Sequence, residues 1–270
     1  MNGFETTIVI EPASTVRAMA RQVLRGRWKE ALQVILVMYA ITTLPSIIIP
    51  YVSPTTFAIS AVNTYTFVIS GPAALGMCAY YLNVFREKPG GTADFLRGFN
   101  YSGKAIILFV VIAVRVFVLS LLLIIPGIWA ALRYSQSFFI LADDPSKSVR
   151  QCLWESSLLM RGNIAKLFWL EISFIGWAFL ASLPPGIGQM AKGAANTTVL
   201  LPSVFGIRDV ARVWLEGVSK PLHPLFALLG LGSLLLSIYM GAAHACFYDL
   251  ANGNLRVHRV ENIQEVQENE

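Results

Sequence analysis

Charge is scarce in this chain: Asp, Glu, Lys and Arg make up 14% of its 270 residues, while apolar residues make up 55%. Soluble domains carry about 25% charged residues, so this deficit excludes a soluble globule more firmly than the apolar excess does. Cysteine is scarce as well. Cys78, Cys152 and Cys246 stand alone, with no Cys-x-x-Cys and no Cys/His ligand spacing. A disulfide framework and a zinc site are therefore not expected, and isolated thiols in apolar segments pack as small hydrophobes. Catalytic signatures are lacking too. There is no Gly-x-Ser-x-Gly elbow, no His-Glu-x-x-His and no phosphate loop of the Gly-x-x-x-x-Gly-Lys kind. The one acidic pair, Asp143-Asp144, stands where a helix cap would stand. The expectation is a protein without metal or cofactor that is not an enzyme. The net charge of +5 comes from bases scattered between apolar runs, which fits loop charges that set membrane topology rather than a nucleic-acid surface.

What the chain has instead is hydrophobic length. A bilayer core of roughly 30 Å needs about 20 helical residues, and six stretches approach this: Ala31–Ile49, Tyr65–Phe85, Ala105–Ile125, Ile128–Ala142, Leu167–Leu183 and Leu225–Leu250. The fourth is the shortest, reaching only about 22 Å at 1.5 Å per residue; Pro126 in its first turn lengthens it slightly. The predicted fold class is all-α: a polytopic bundle of six membrane helices arranged as three hairpins. The hairpins cover 14–88, 89–145 and 146–255 of one membrane domain, 1–255, followed by a mobile acidic tail, 256–270. No cleavable leader is expected, since the first apolar run begins near Ala31 after Glu5, Glu11 and a basic stretch.

Loop charges orient the six spans. Arg17, Arg21, Arg25, Arg27 and Lys29 precede the first; Arg86, Lys88, Arg97 and Lys104 follow the second; Lys147, Arg150, Arg161 and Lys166 follow the fourth. The hairpin turns of the first two pairs carry no Lys or Arg. The positive-inside rule then places both termini in the cytoplasm. Lys192, Arg208, Arg212 and Lys220 fall in a long external loop, 186–222.

The three Arg-Gly dipeptides mark the same place in each hairpin: Arg25-Gly26, Arg97-Gly98 and Arg161-Gly162, each preceded by Leu or Met and followed by Lys29, Lys104 or Lys166. Arg and Lys suit the headgroup level, and Gly lets the chain turn into the bilayer. Each first stretch closes on proline, at Pro45, Pro126 and Pro184-Pro185. The second helices end alike, in Tyr80-Tyr81 with Phe85, Phe138-Phe139 and Phe247-Tyr248. This pattern points to an internal repeat. Amphipathic interfacial helices are expected over Ala13–Lys29, from an Asp144-Pro145 start to about Met160, and around Ile207–Val218. Within the spans lie Arg115, Arg133, Glu171 and His244, the candidate intramembrane polar cluster. Equal depth makes an Arg115–Glu171 pair the sharpest expectation, with His244 bonded to a neighbouring helix.

The run Ile125-Pro126-Gly127-Ile128, Ala131-Leu132-Arg133-Tyr134-Ser135 and Ile140-Leu141-Ala142-Asp143-Asp144-Pro145 resembles the central signature of a family of uncharacterised polytopic bacterial membrane proteins (DUF975-like). Met160-Arg161-Gly162-Asn163, Ser173-Phe174-Ile175-Gly176-Trp177 and Phe247-Tyr248-Asp249-Leu250 continue it. The resemblance covers about residues 14–250 and implies a protein of the bacterial cytoplasmic membrane with no assigned activity; it carries over no catalytic residue. The functional expectation is a non-catalytic structural, assembly or regulatory component, surrounded by membrane lipids, with a membrane-protein partner or a second copy of the chain and no nucleic acid. The alternative is a transporter or lipid-handling protein using Arg115, Arg133 and Glu171.

Overall fold

The computed structural model describes residues 8–52, 55–86, 88, 91–190 and 224–254. Among these the regular structure is entirely helical. In order come α1 (Ala13–Leu24), α2 (Trp28–Val52), α3 (Thr56–Phe85), α4 (Thr92–Arg97), α5 (Ser102–Leu122), α6 (Ile124–Tyr134), α7 (Ser137–Asp143), α8 (Val149–Leu159), α9 (Ile164–Met190) and α10 (Pro224–Ala251), with a 3-10 turn over Gly98–Tyr101. Among the described residues three stretches, Thr56–Phe85, Thr92–Leu122 and Leu234–Ala251, are long and apolar enough to cross a membrane, and they associate the chain with one. Of the expected external loop, 186–222, residues 186–190 continue α9, while the rest of it, its expected helix around Ile207–Val218, the bases Lys192, Arg208, Arg212 and Lys220, and the acidic tail lie outside the described residues.

Helix α3 is the hub. Helices α2, α4, α5, α7 and α10 all pack on it, while α9 pairs with α10, α6 with α5, and α1 lies on α10. The α4–α5 unit meets α3 backbone to backbone: a Cβ at Gly76 would overlap the Phe95 carbonyl, and one at Gly98 would overlap the backbone of Gly76. Only a hydrogen at both positions permits this approach. Tyr80, Phe95, Phe138, Phe174 and Phe247 are the largest side chains sealed in the core. By contrast, only 17% of the most apolar stretch of Thr92–Leu122 is buried within the chain. The α5–α6 turn exposes Leu121, Leu122, Leu123, Ile124 and Ile125, the apolar tip of a helical hairpin.

Proline does not end the helices where the apolar runs led us to expect it. Helix α2 continues through Pro45 to Val52 and α9 through Pro184-Pro185 to Met190. At Pro45 the reason is visible. Proline has no N–H for the carbonyl four residues back, that of Ile41, and the Tyr65 hydroxyl on α3 donates to that carbonyl at 2.8 Å. Pro126 does punctuate, sitting in the first turn of α6 after Leu123 breaks into extended backbone. The fourth apolar stretch begins earlier than expected, at Ile124, and divides at Ser135-Gln136 into α6 and α7.

The two amphipathic segments also differ from expectation. Ala13–Lys29 is not one helix: α1 stops at Leu24, and Gly26 takes φ +86° in a turn before α2. Its apolar face, Val16, Ala20 and Leu24, is buried. Asp144-Pro145 does not start the next helix. The Asp144 carboxylate folds onto Ser146, accepting from its N–H at 3.0 Å and its hydroxyl at 2.6 Å. Those bonds hold Asp144 below the usual carboxylate range. Ser148 caps α8 instead, accepting from the Gln151 N–H at 3.3 Å, a hydroxyl doing what an N-cap residue does.

The backbone contact between α3 and the α4–α5 unit predicts a size limit. Gly98→Ala should lower stability by about 1–3 kcal/mol through forced overlap, whereas Gly176→Ala, with open space around it, should be neutral or slightly stabilising. Thermal unfolding of the detergent-purified protein, followed by size-exclusion profile, reads both.

Candidate functional site

Among the described residues, one group of charges lies where three helices end. Arg86 follows the last residue of α3, Asp143 closes α7, and Tyr248 and Asp249 stand in the last turn of α10. The Arg86 guanidinium donates from Nη1 to Asp143 Oδ1, from Nη2 to Asp249 Oδ1 at 2.8 Å, and from Nε to Asp249 Oδ2 at 3.3 Å. The Tyr248 hydroxyl donates to Asp143 Oδ2 at 3.1 Å, and its ring stacks on Phe139. Asn254, brought back by the Gly253 turn at φ +74°, donates from Nδ2 to Asp249 Oδ1 at 3.1 Å.

Electrostatics explains why this arrangement needs its arginine. A helix C-terminus carries a partial negative charge of about half a unit, so Asp143 and Asp249 sit at ends that repel them. Asp249 is moreover buried, with 2% of its side chain exposed, while Asp143 and Arg86 are about one quarter exposed. A single guanidinium, offering a planar fork of donors, answers both carboxylates. The bonds to Asp143 and then Asp249 raise Arg86 above its ordinary value, so it stays charged at every working pH. A second arginine reinforces the end of α3: Arg27, from the α1–α2 turn, donates to the carbonyls of Val84 at 3.1 Å and Lys88 at 2.8 Å.

The four intramembrane residues singled out from sequence do not form one cluster. Glu171 of α9 meets His244 of α10, Oε1 against Nε2, with both side chains nearly buried. The Arg115–Glu171 pair is not formed. Arg115 lies over the Tyr134 ring and Arg133 over the Trp129 ring, each 5.2 Å from the ring centre. Depth along a helix axis says nothing about azimuth, and Arg115 is on the exposed side of α5.

The Arg-Gly marks divide. Gly26 and Gly162 both adopt left-handed backbone, at φ +86° and +82°, after a buried Leu24 or Met160. Gly98 is helical and serves close packing instead. Arg25, Arg97 and Arg161 are exposed. Beside the third mark, Asn163 accepts from the Val9 N–H at 2.9 Å, and Lys166 donates to the Ile10 carbonyl at 3.3 Å. In the next layer, Lys104 donates to the Pro145 carbonyl at 2.7 Å, and Lys147 meets the buried Glu155 at 2.7 Å. Burial pushes the Cys152 thiol up to about 11, so it stays protonated and inert at neutral pH. Among the described residues no group of three or more His, Cys, Asp or Glu could hold a metal ion.

Sequence reasoning missed the Arg86 site. Arg86 counted only as a topology charge, Tyr248 as an interfacial aromatic, and Asp143 as part of a cap. The overlooked signal is the placement of Asp143 and Asp249 at the ends of apolar helices, where a carboxylate without a cation is unfavourable.

Removing Arg86 leaves two carboxylates facing each other, one of them buried, so Arg86→Leu should cost about 3–5 kcal/mol. Asp143→Asn, at the more exposed end, should cost about 1 kcal/mol or less. Thermal unfolding of the two variants in detergent checks the order; equal losses would contradict it.

No curated protein and no solved structure matches the chain. Residues 92–254 match the family described as Protein of unknown function (DUF975). That segment includes Asp143, Tyr248 and Asp249 and begins just after Arg86, and by this match the chain belongs to that family.

Proposed function

We propose that the chain is a six-span component of the bacterial cytoplasmic membrane, built from three in–out–in hairpins with both termini cytoplasmic, and that its role is structural, assembly-related or regulatory rather than catalytic. The observation that carries this reading is the use made of charge: Arg86, Asp143 and Asp249 tie the ends of α3, α7 and α10 together. In this reading those helices are the second members of the three hairpins, so each contributes its cytoplasmic end to one joint. The matching left-handed turns at Gly26 and Gly162 support duplication of a unit made of a short helix, a glycine turn and two long helices. Transport finds less support. Arg115 and Arg133 lie on aromatic rings of α6 and Glu171 is taken up by His244, so these residues do not line one path.

Topology is tested by single cysteines in a background where Cys78, Cys152 and Cys246 are replaced by Ala. Leu123→Cys, at the exposed α5–α6 turn, should react with a membrane-impermeant maleimide on intact cells. Arg25→Cys and Arg161→Cys should react only after permeabilisation; the reverse pattern would overturn the orientation. The assembly role predicts that the chain, extracted with native lipids into polymer discs, carries a stoichiometric partner or a second copy, and a lone monomer would count against it.

A further inference from the structure

Some of the described arginines are tied to acids. Arg27, Arg86 and Arg97 each have a carboxylate, from Glu30, from Asp143 and Asp249, and from Asp94 respectively. Arg133 and Arg161 have none among the described residues, nor do Arg17, Arg21, Arg25, Arg115 and Arg150, but these two come together. Together with Trp129, Ser157, Gly162 and Ile164 they line a recess of about 380 Å³, within the range of ligand sites, about 300–1,000 Å³. No acid lines it.

The recess is held in shape by contacts that do not consume its cations. The Ser156 hydroxyl donates to the Arg133 carbonyl at 2.9 Å, fixing α8 against the end of α6. The Arg133 guanidinium rests over the Trp129 indole, which orients it while leaving its N–H donors available. Arg161 stands on the exposed turn whose left-handed Gly162 reverses the chain into α9. Ile164 is the first residue of α9, so the positive end of that helix's dipole adds to the two arginines. Two planar guanidiniums and a helix start beside one concavity are the kinds of group that bind a tetrahedral oxyanion.

The surroundings decide what carries that anion. Trp129, in the wall of the recess, is 48% exposed, and Trp154 on α8 and Trp169 on α9 are 56% and 62% exposed; exposed tryptophans belong at the headgroup level of a bilayer. We propose that the Arg133–Arg161 recess binds the phosphate of an anionic phospholipid, with the acyl chains lying along the apolar sides of α6 and α9. This inference rests on the reading above that puts the Arg161-Gly162 turn at the cytoplasmic headgroups, with the break between α6 and α7 at Ser135-Gln136 letting Arg133, at the end of α6, share that level.

The test uses the full chain in nanodiscs of phosphatidylcholine doped with phosphatidylglycerol, with lipid retained after delipidation counted by native mass spectrometry. Wild type should retain phosphatidylglycerol in preference to phosphatidylcholine. Arg161→Gln and Arg133→Gln should each weaken that retention about fivefold and the double variant about 25-fold, the factor for removing one or two interfacial cations. Arg161→Lys should keep most of it. Arg97→Gln, which removes an equal charge from a turn where the arginine already has Asp94, should leave it unchanged. Because Arg161 lies on an exposed turn, its variants carry the test if Arg133→Gln lowers the yield of folded protein. Equal retention of the two lipids, or equal loss in Arg97→Gln and Arg161→Gln, would overturn the proposal. So would displacement of the lipid by inorganic phosphate at matched concentration, which would make the recess a soluble-anion site. If lipid preference is absent in a chain that passes the cysteine-labelling test, the lipid site alone falls; if the labelling pattern reverses, the six-span reading falls first.

Discussion

The packing of this protein depends on one guanidinium. Three helix ends, those of α3, α7 and α10, meet within reach of Arg86, and each brings the negative pole of its backbone. Two of them also bring a carboxylate. Without a cation the joint would be a cluster of like charges with Asp249 almost wholly out of water, the situation in which breaking a pair costs most. With Arg86 in place, repulsion becomes a three-way tie, and the Tyr248 hydroxyl and Asn254 amide complete the acceptors. Arg27 then binds the same end of α3 through the carbonyls of Val84 and Lys88, linking the first turn of the chain to the joint.

Helix α3 can serve as the hub because it combines three kinds of surface. At its C-terminal end it offers charge, through Arg86. Along its length it offers backbone, where Gly76 admits Phe95 and Gly98. Near its N-terminal half it offers a hydroxyl, where Tyr65 satisfies the carbonyl freed by Pro45. In a low-dielectric setting each polar contact of this sort carries more weight than in water, since an unpaired group has no solvent to turn to. Helices α5 and α6 lack such anchors toward the rest of the chain over much of their length and present an apolar surface outward.

The contrast among the arginines gives the functional reading its shape. Those that hold the fold are matched with acids, and those at the Arg133–Arg161 recess are not. The Arg133–Arg161 recess, with the exposed Trp129 in its wall, is where the proposed lipid headgroup would meet the chain. The family match over residues 92–254 contains the whole recess.

Much of the architecture was legible from residue order alone. The apolar runs marked α2, α3, α5, α9 and α10, because hydrophobic length is a local property that survives any tertiary arrangement. Two of the Arg-Gly dipeptides fall where short helices give way to long ones, after Leu24 and Met160, although the expected helix over Ala13–Lys29 ran through the first of them. Where expectation failed, the missing information was a partner from elsewhere in the chain. Pro45 looked like a terminus because Tyr65 was not known to face Ile41; Asp144 looked like a cap because its turn with Ser146 was not known to exclude that use. Arg115 was assigned to Glu171 on depth, although His244 occupies the same carboxylate from the facing helix. Composition and periodicity by themselves determined that this is a helical membrane protein and where its long helices run. Only the tertiary structure decided which charges meet, because pairing depends on the rotation of each helix about its axis, which the packing of its neighbours sets.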